Sequence, residues 1–159
     1  MSPTMEYLSQ RDLVAPSQDQ DQSTLTAQRH FDVYAPYGDL RWLETLRASI
    51  AKIANLQDNW DSYGASAISM DLLKSSLDLL SNVIGPKDPL PSIVPTVTGG
   101  IQFEWHVNGV DLEVEIESLG QVKVYYEHGN KVEEWEKNLF AAVPGLRAYT
   151  RELNSRTTR

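Results

Sequence analysis

The dipeptide Asn108-Gly109, set between two stretches of strict apolar–polar alternation, constrains this chain more than any other feature. Asn-Gly is the strongest short hairpin signal, because both residues tolerate the positive φ of a two-residue turn. Before it, Ile101, Phe103, Trp105 and Val107 alternate with Gln102, Glu104 and His106. After it, Val110, Leu112, Val114 and Ile116 alternate with Asp111, Glu113, Glu115 and Glu117. A two-residue turn sets Val107 against Val110, and hence Trp105 against Leu112, Phe103 against Val114 and Ile101 against Ile116. Every pair is apolar. A slip by one residue would bury a row of carboxylates, so the register is strongly specified.

A third strand follows Ser118-Leu119-Gly120, with Val122, Val124 and Tyr126 alternating with Lys123 and Tyr125. A two-residue loop would bring Lys123 against Ile116. A three-residue loop (118–120, Gly120 left-handed) pairs Ile116 with Val122, Val114 with Val124 and Leu112 with Tyr126, and is favoured on burial. The opposite face then carries Glu104, His106, Asp111, Glu113, Glu115, Glu117, Lys123, Tyr125 and Glu127. Glu104 faces Glu113, an unfavourable like-charge pair. Over 104–136, nine acidic residues stand against Lys123 and Lys131, a local net charge of −7.

Upstream the period is helical. Leu43, Leu46, Ile50 and Ile53, widened by Trp42 and Ala54, predict a helix over 39–56 with Asp39 as N-cap. Leu73, Leu77, Leu80 and Ile84, joined by Leu72 and Val83, predict a second over 70–84, capped by Ser69 and ended by Gly85-Pro86. Pro86, Pro89, Pro91 and Pro95 form a connector, and Pro95 confines any strand there to an edge. Residues 131–136 fit a helix or a further hairpin strand, with a slight preference for the strand, and a short helix is expected at about 145–154. The expected fold is α+β: two helices, an antiparallel meander of three to five strands, and a short C-terminal helix. The helices pack on one face of the sheet. Residues 1–30, with the run Pro16 to Ser23, are expected to form a disordered polar tail. Residues 31–154 are expected to form one domain, and 155–159 a loose end.

The 159 residues are 41% hydrophobic and 23% charged, values of a globular chain, with a net charge of −8. That sign opposes direct nucleic-acid or anionic-membrane binding and favours a basic protein partner. With no Cys, thiolate chemistry and disulfides are excluded. No apolar run reaches membrane-spanning length and 1–37 lacks a basic-then-apolar leader pattern, so a cytoplasmic location is expected. No cofactor is expected.

The acidic panel is first of all a solvated sheet face kept soluble by charge. Its second interpretation is a docking surface for a basic partner, since Lys or Arg from outside would relieve the stored repulsion. A metal site comes last, with His106, Asp111, Glu104 and Glu113 as oxygen and nitrogen donors at no recognised ligand spacing. In the loop 59–65, Trp60 and Tyr63 plug the gap between helices and sheet while Asn59, Asp61 and Gly64 make the turn. The alternative there is a ligand pocket of Trp60, Asp61 and Tyr63. Gly99-Gly100 is a bend rather than a phosphate cradle, lacking the spaced glycines and following helix.

The string Asn59-Trp60-Asp61-Ser62-Tyr63-Gly64-Ala65, followed by Gly99-Gly100-Ile101-Gln102-Phe103-Glu104-Trp105-His106 and by Asp111 to Ile116, resembles a scattered set of small bacterial proteins. The resemblance covers about residues 40–127. It implies a bacterial or phage origin and brings no activity with it. From the residues themselves the leading expectation is a non-catalytic interaction module of antitoxin, immunity or anti-defence type. The alternatives are a metal-dependent hydrolase using His106, Asp111 and Glu113, and a small-ligand sensor at the Trp60/Tyr63 loop.

Overall fold

A computed structural model describes residues 41–118 and 121–154; of Arg41, Trp42, Leu43 and Ser118 only the backbone is described. The expectations for the tails, the Asp39 cap, the Trp42 and Leu43 side chains and Gly120 lie outside it. Helices α1 (Arg41–Ala54) and α2 (Met70–Val83) come first. Strands β1 (Ser92–Pro95), β2 (Ile101–Val107), β3 (Val110–Ser118), β4 (Gln121–His128) and β5 (Lys131–Lys137) follow, then α3 (Leu139–Leu153). The strands form one antiparallel sheet in sequence order.

The hairpin register is the one that alternation dictates. Ile101, Phe103, Trp105 and Val107 face Ile116, Val114, Leu112 and Val110, and the turn holds Asn108 at φ 55° and Gly109 at φ 75°. On the next strand, Ile116, Val114 and Leu112 face Val122, Val124 and Tyr126. The connection differs from the three-residue loop expected there. Ser118 still pairs with Gln121, and the extra residue sits inside β3 as a bulge between Ile116 and Ser118. An insertion in the strand preserves the apolar pairing as well as one in the loop does.

The inner row from Ile101 to Tyr126 is buried, and the stripes Leu46, Ile50, Ile53 and Leu72, Leu73, Leu77, Leu80 join the same core. α3 lies on β3, β4 and β5, α2 packs against α3, and α1 meets β1. At roughly 2 kcal/mol per buried large side chain, this row is the main source of cohesion. Ser69 caps α2 by accepting the Leu72 N–H at 3.1 Å, and the helix stops with Ile84 extended just before Gly85-Pro86.

Residues 131–137 are a strand. α3 is longer than expected and starts at Leu139, where Asn138 accepts the Ala141 N–H at 2.9 Å. Pro144 and Gly145 lie inside it. A Cβ on Gly145 would come 3.1 Å from the Trp135 ring, so a larger residue there would require the ring to give way by a few tenths of an ångström.

Gly99-Gly100 closes the β1–β2 hairpin. Gly99 has φ 80° and donates to the Thr96 carbonyl at 3.1 Å, while the Gly100 N–H bonds the Thr96 hydroxyl at 2.9 Å. A Cβ on Gly100 would sit 2.8 Å from the Ile116 carbonyl oxygen, so the backbone approach itself demands glycine.

Candidate functional site

The outer sheet face is built by strand alternation alone. Three rows cross it: His106, Asp111, Glu127 and Val132; Glu104, Glu113, Tyr125 and Glu134; Gln102, Glu115, Lys123 and Glu136. These side chains are half-buried or exposed. Together with Glu117 at the bulge, eight carboxylates share the face with one ammonium group, that of Lys123, among the described residues. Glu133 and Lys131, counted with the acidic stretch in the sequence, belong to the other face, opposite Tyr126 and His128.

Part of this charge is paired locally. His106 Nδ1 lies 2.8 Å from Asp111, and its Nε2 3.9 Å from Glu104. The bond to Asp111, with smaller help from Glu104 and Glu113, holds the imidazole above its ordinary pKa against some desolvation. Lys123 is held at 2.7 Å by Glu117, which also raises its pKa. Gln102 donates to Glu113 at 3.1 Å. The Tyr125 hydroxyl donates to Glu127 and is pushed up to about 12, chiefly by that bond.

Glu115, Glu134 and Glu136 make no hydrogen bond or ion pair among the described residues. They line a shallow depression of about 380 Å³ together with Gln102, Glu113, Lys123 and Tyr125. Glu104 does face Glu113, so the like-charge pair is real, and His106 beside it takes up some of the repulsion.

The metal-ligand constellation does not assemble. Asp111 and Glu104 address opposite nitrogens of His106 instead of converging on one point. Among the described residues no three His, Asp or Glu groups are placed to hold an ion.

The 59–65 loop is a self-bonded turn. Asn59 and Ser62 take φ 66° and 67°, and the Asn59 side chain accepts the Gly64 N–H at 2.8 Å. Asp61 accepts from Tyr63 at 2.8 Å and Ala65 at 3.0 Å, and these backbone bonds, Ala65 foremost, lower its pKa. Trp60 is half-buried and donates to the Ser66 carbonyl at 3.2 Å. Tyr63, expected to plug the gap beside it, is instead 93% exposed. The tight turn directs its side chain outward.

A second polar cluster was not anticipated from the sequence. Under α3, the rings of Tyr126 and Tyr149 stack at 4.1 Å. Tyr126 donates to Glu152, and Tyr149 donates to Glu133 while accepting the Trp135 indole N–H at 2.9 Å. His128 lies 3.3 Å from Glu152, and Lys131 sits 5.1 Å from the Tyr126 ring centre. Burial first, then the carboxylate bonds, pushes both tyrosines up, while the Tyr126 bond lowers Glu152. Each hydroxyl has an acceptor, so the cluster fastens α3 to β4 and β5. A further depression of about 360 Å³ between α2 and α3 carries Leu79, Leu139, Val143 and the exposed Phe140, with Asp78 pushed up by burial.

Fold and face together define a small α+β protein with helices on one side of a five-stranded meander and an acidic panel on the other. No family model, curated protein or solved structure matches the chain.

Proposed function

We propose that this chain is a non-catalytic interaction module whose acidic sheet face binds a basic protein partner. The observation that carries the reading is the set of Glu115, Glu134 and Glu136 around an open depression, three carboxylates that form no ion pair among the described residues. Lys123, the ammonium group between Glu115 and Glu136, is held by Glu117. A purely solvated face would gain nothing from the Glu104–Glu113 opposition, whereas a cationic partner converts that repulsion into attraction and faster encounter. Sequestration of a cationic effector, as by an antitoxin or immunity protein, is the setting we propose for it.

Immobilised full-length protein is expected to retain a basic protein from an extract of its native host at low salt and release it as ionic strength rises. The double variant Glu113→Lys, Glu115→Lys is expected to weaken this capture by about tenfold or more, with an unchanged circular dichroism spectrum. Undiminished capture by the folded double variant would overturn the proposal.

A further inference from the structure

The two edges of the sheet are built differently. β1 has four residues and ends in Pro95, whose nitrogen carries no hydrogen. β5 runs for seven residues without Pro or Gly and, among the described residues, pairs only with β4.

Which backbone groups leave that edge can be deduced. The two-residue turn Gly129-Asn130, with Gly129 at φ 63°, joins His128 to Lys131. Residues flanking such a turn form a hydrogen-bonded pair, and bonded and non-bonded pairs alternate along an antiparallel ladder. Lys131, Glu133, Trp135 and Lys137 therefore direct their N–H and C=O groups toward β4. Val132, Glu134 and Glu136 direct theirs away from it. The side chains of these same three residues lie on the acidic face, where Val132 is 57% exposed.

An open strand of this length invites pairing with a second copy unless something opposes it. Antiparallel self-pairing centred on Glu134 sets Glu134 against itself and Lys131 against Lys137. Centring on Trp135 sets Glu134 against Glu136 twice, offset by Glu133 against Lys137 twice. Like charges meet in both registers, uncompensated in the first, and this opposes self-pairing. A foreign strand with Lys or Arg at alternate positions meets the reverse situation. Its main chain finds three residues whose donors and acceptors have no partner strand among the described residues, and its cations fall opposite Glu136 and Glu134 beside the depression.

We infer that the basic partner docks by adding an antiparallel strand to the β5 edge, using a cation–any–cation–any–apolar pattern opposite Glu136, Trp135, Glu134, Glu133 and Val132. This inference rests on the acidic face being the partner surface, and adds where the partner lies and in what conformation. It belongs to the mode of recognition in which main-chain bonds give affinity and alternate side chains give specificity.

The test uses the full chain and the peptide Thr-Lys-Thr-Lys-Thr-Val-Thr, followed by amide hydrogen exchange and titration. Binding is expected to slow exchange at Val132, Glu134 and Glu136 by about tenfold. A peptide N-methylated at alternate amides, which keeps the charges and removes main-chain donors, is expected to bind about tenfold more weakly, as is the original peptide to the Glu134→Lys, Glu136→Lys variant. Equal binding of the methylated peptide, or unchanged β5 exchange, overturns strand addition. If that happens while capture of the host protein still depends on Glu113 and Glu115, the acidic-face reading survives alone. Slow exchange at these amides in the free chain would mean that the chain itself, or a second copy, occupies the edge, and would also overturn the inference.

Discussion

At the scale of single residues, His106 is the most informative group on the acidic face. Its ring is bracketed by Asp111 and Glu104, and the Asp111 bond raises its pKa from an ordinary value of 6.5. A raised value in the folded state means that protonated His106 stabilises the fold. That contribution is complete below the unfolded value and disappears as pH rises through the folded one. Asp111→Asn is therefore expected to lower the ring's titration midpoint by NMR and to reduce thermal stability at about pH 6. The gap to wild type should close once His106 has lost its proton. The Asp111–His106 pairing could be deduced from sequence because both lie on a hairpin whose register the Asn108-Gly109 turn fixes. Tyr126 was only half legible. Its burial follows from alternation, but its bond to Glu152 spans 26 residues and depends on where α3 sits, which no local pattern encodes.

At the scale of elements, α3 is where sequence and structure part. Pro144-Gly145 resembles a helix break, since proline lacks the N–H that would bond back to Phe140. Phe140 is 92% exposed, so water has access to the start of the helix and the lost bond is inexpensive. The stripe Leu139, Ala142, Val143, Leu146, Tyr149, Thr150, Leu153 has unbroken helical spacing behind Asn138. That was the signal available. Asn138→Ala is expected to lower unfolding free energy by about 1 kcal/mol in urea titration, because the cap bond to Ala141 is the helix's own start signal. The three central strands, in contrast, were almost fully legible, while β5 was only slightly preferred over a helix and β1 had no more than the edge restriction of Pro95. Each of the three is delimited by turn residues, and a wrong register would bury carboxylates.

At the scale of the whole molecule, charge among the described residues is segregated by the sheet: an apolar core against three helices on one side, eight carboxylates with Lys123 on the other. Under the proposed partner binding, such an arrangement trades stability for recognition. Replacing Glu104 and Glu113 together by Gln, which removes their direct opposition, is expected to raise the midpoint of thermal unfolding, by about 0.5 kcal/mol in free energy, while weakening capture of the basic partner. A variant both more stable and equally adhesive would contradict the role assigned to those side chains. The sequence order of the strands carries a separate consequence, for how the molecule is made. Each strand bonds to its immediate predecessor, so no long excursion of chain must be closed before the sheet gains its first ladder. Hairpins can nucleate within a few residues of synthesis and grow outward one neighbour at a time. The kinetics of assembly should accordingly resemble those of local topologies more than those of crossed β-sandwiches.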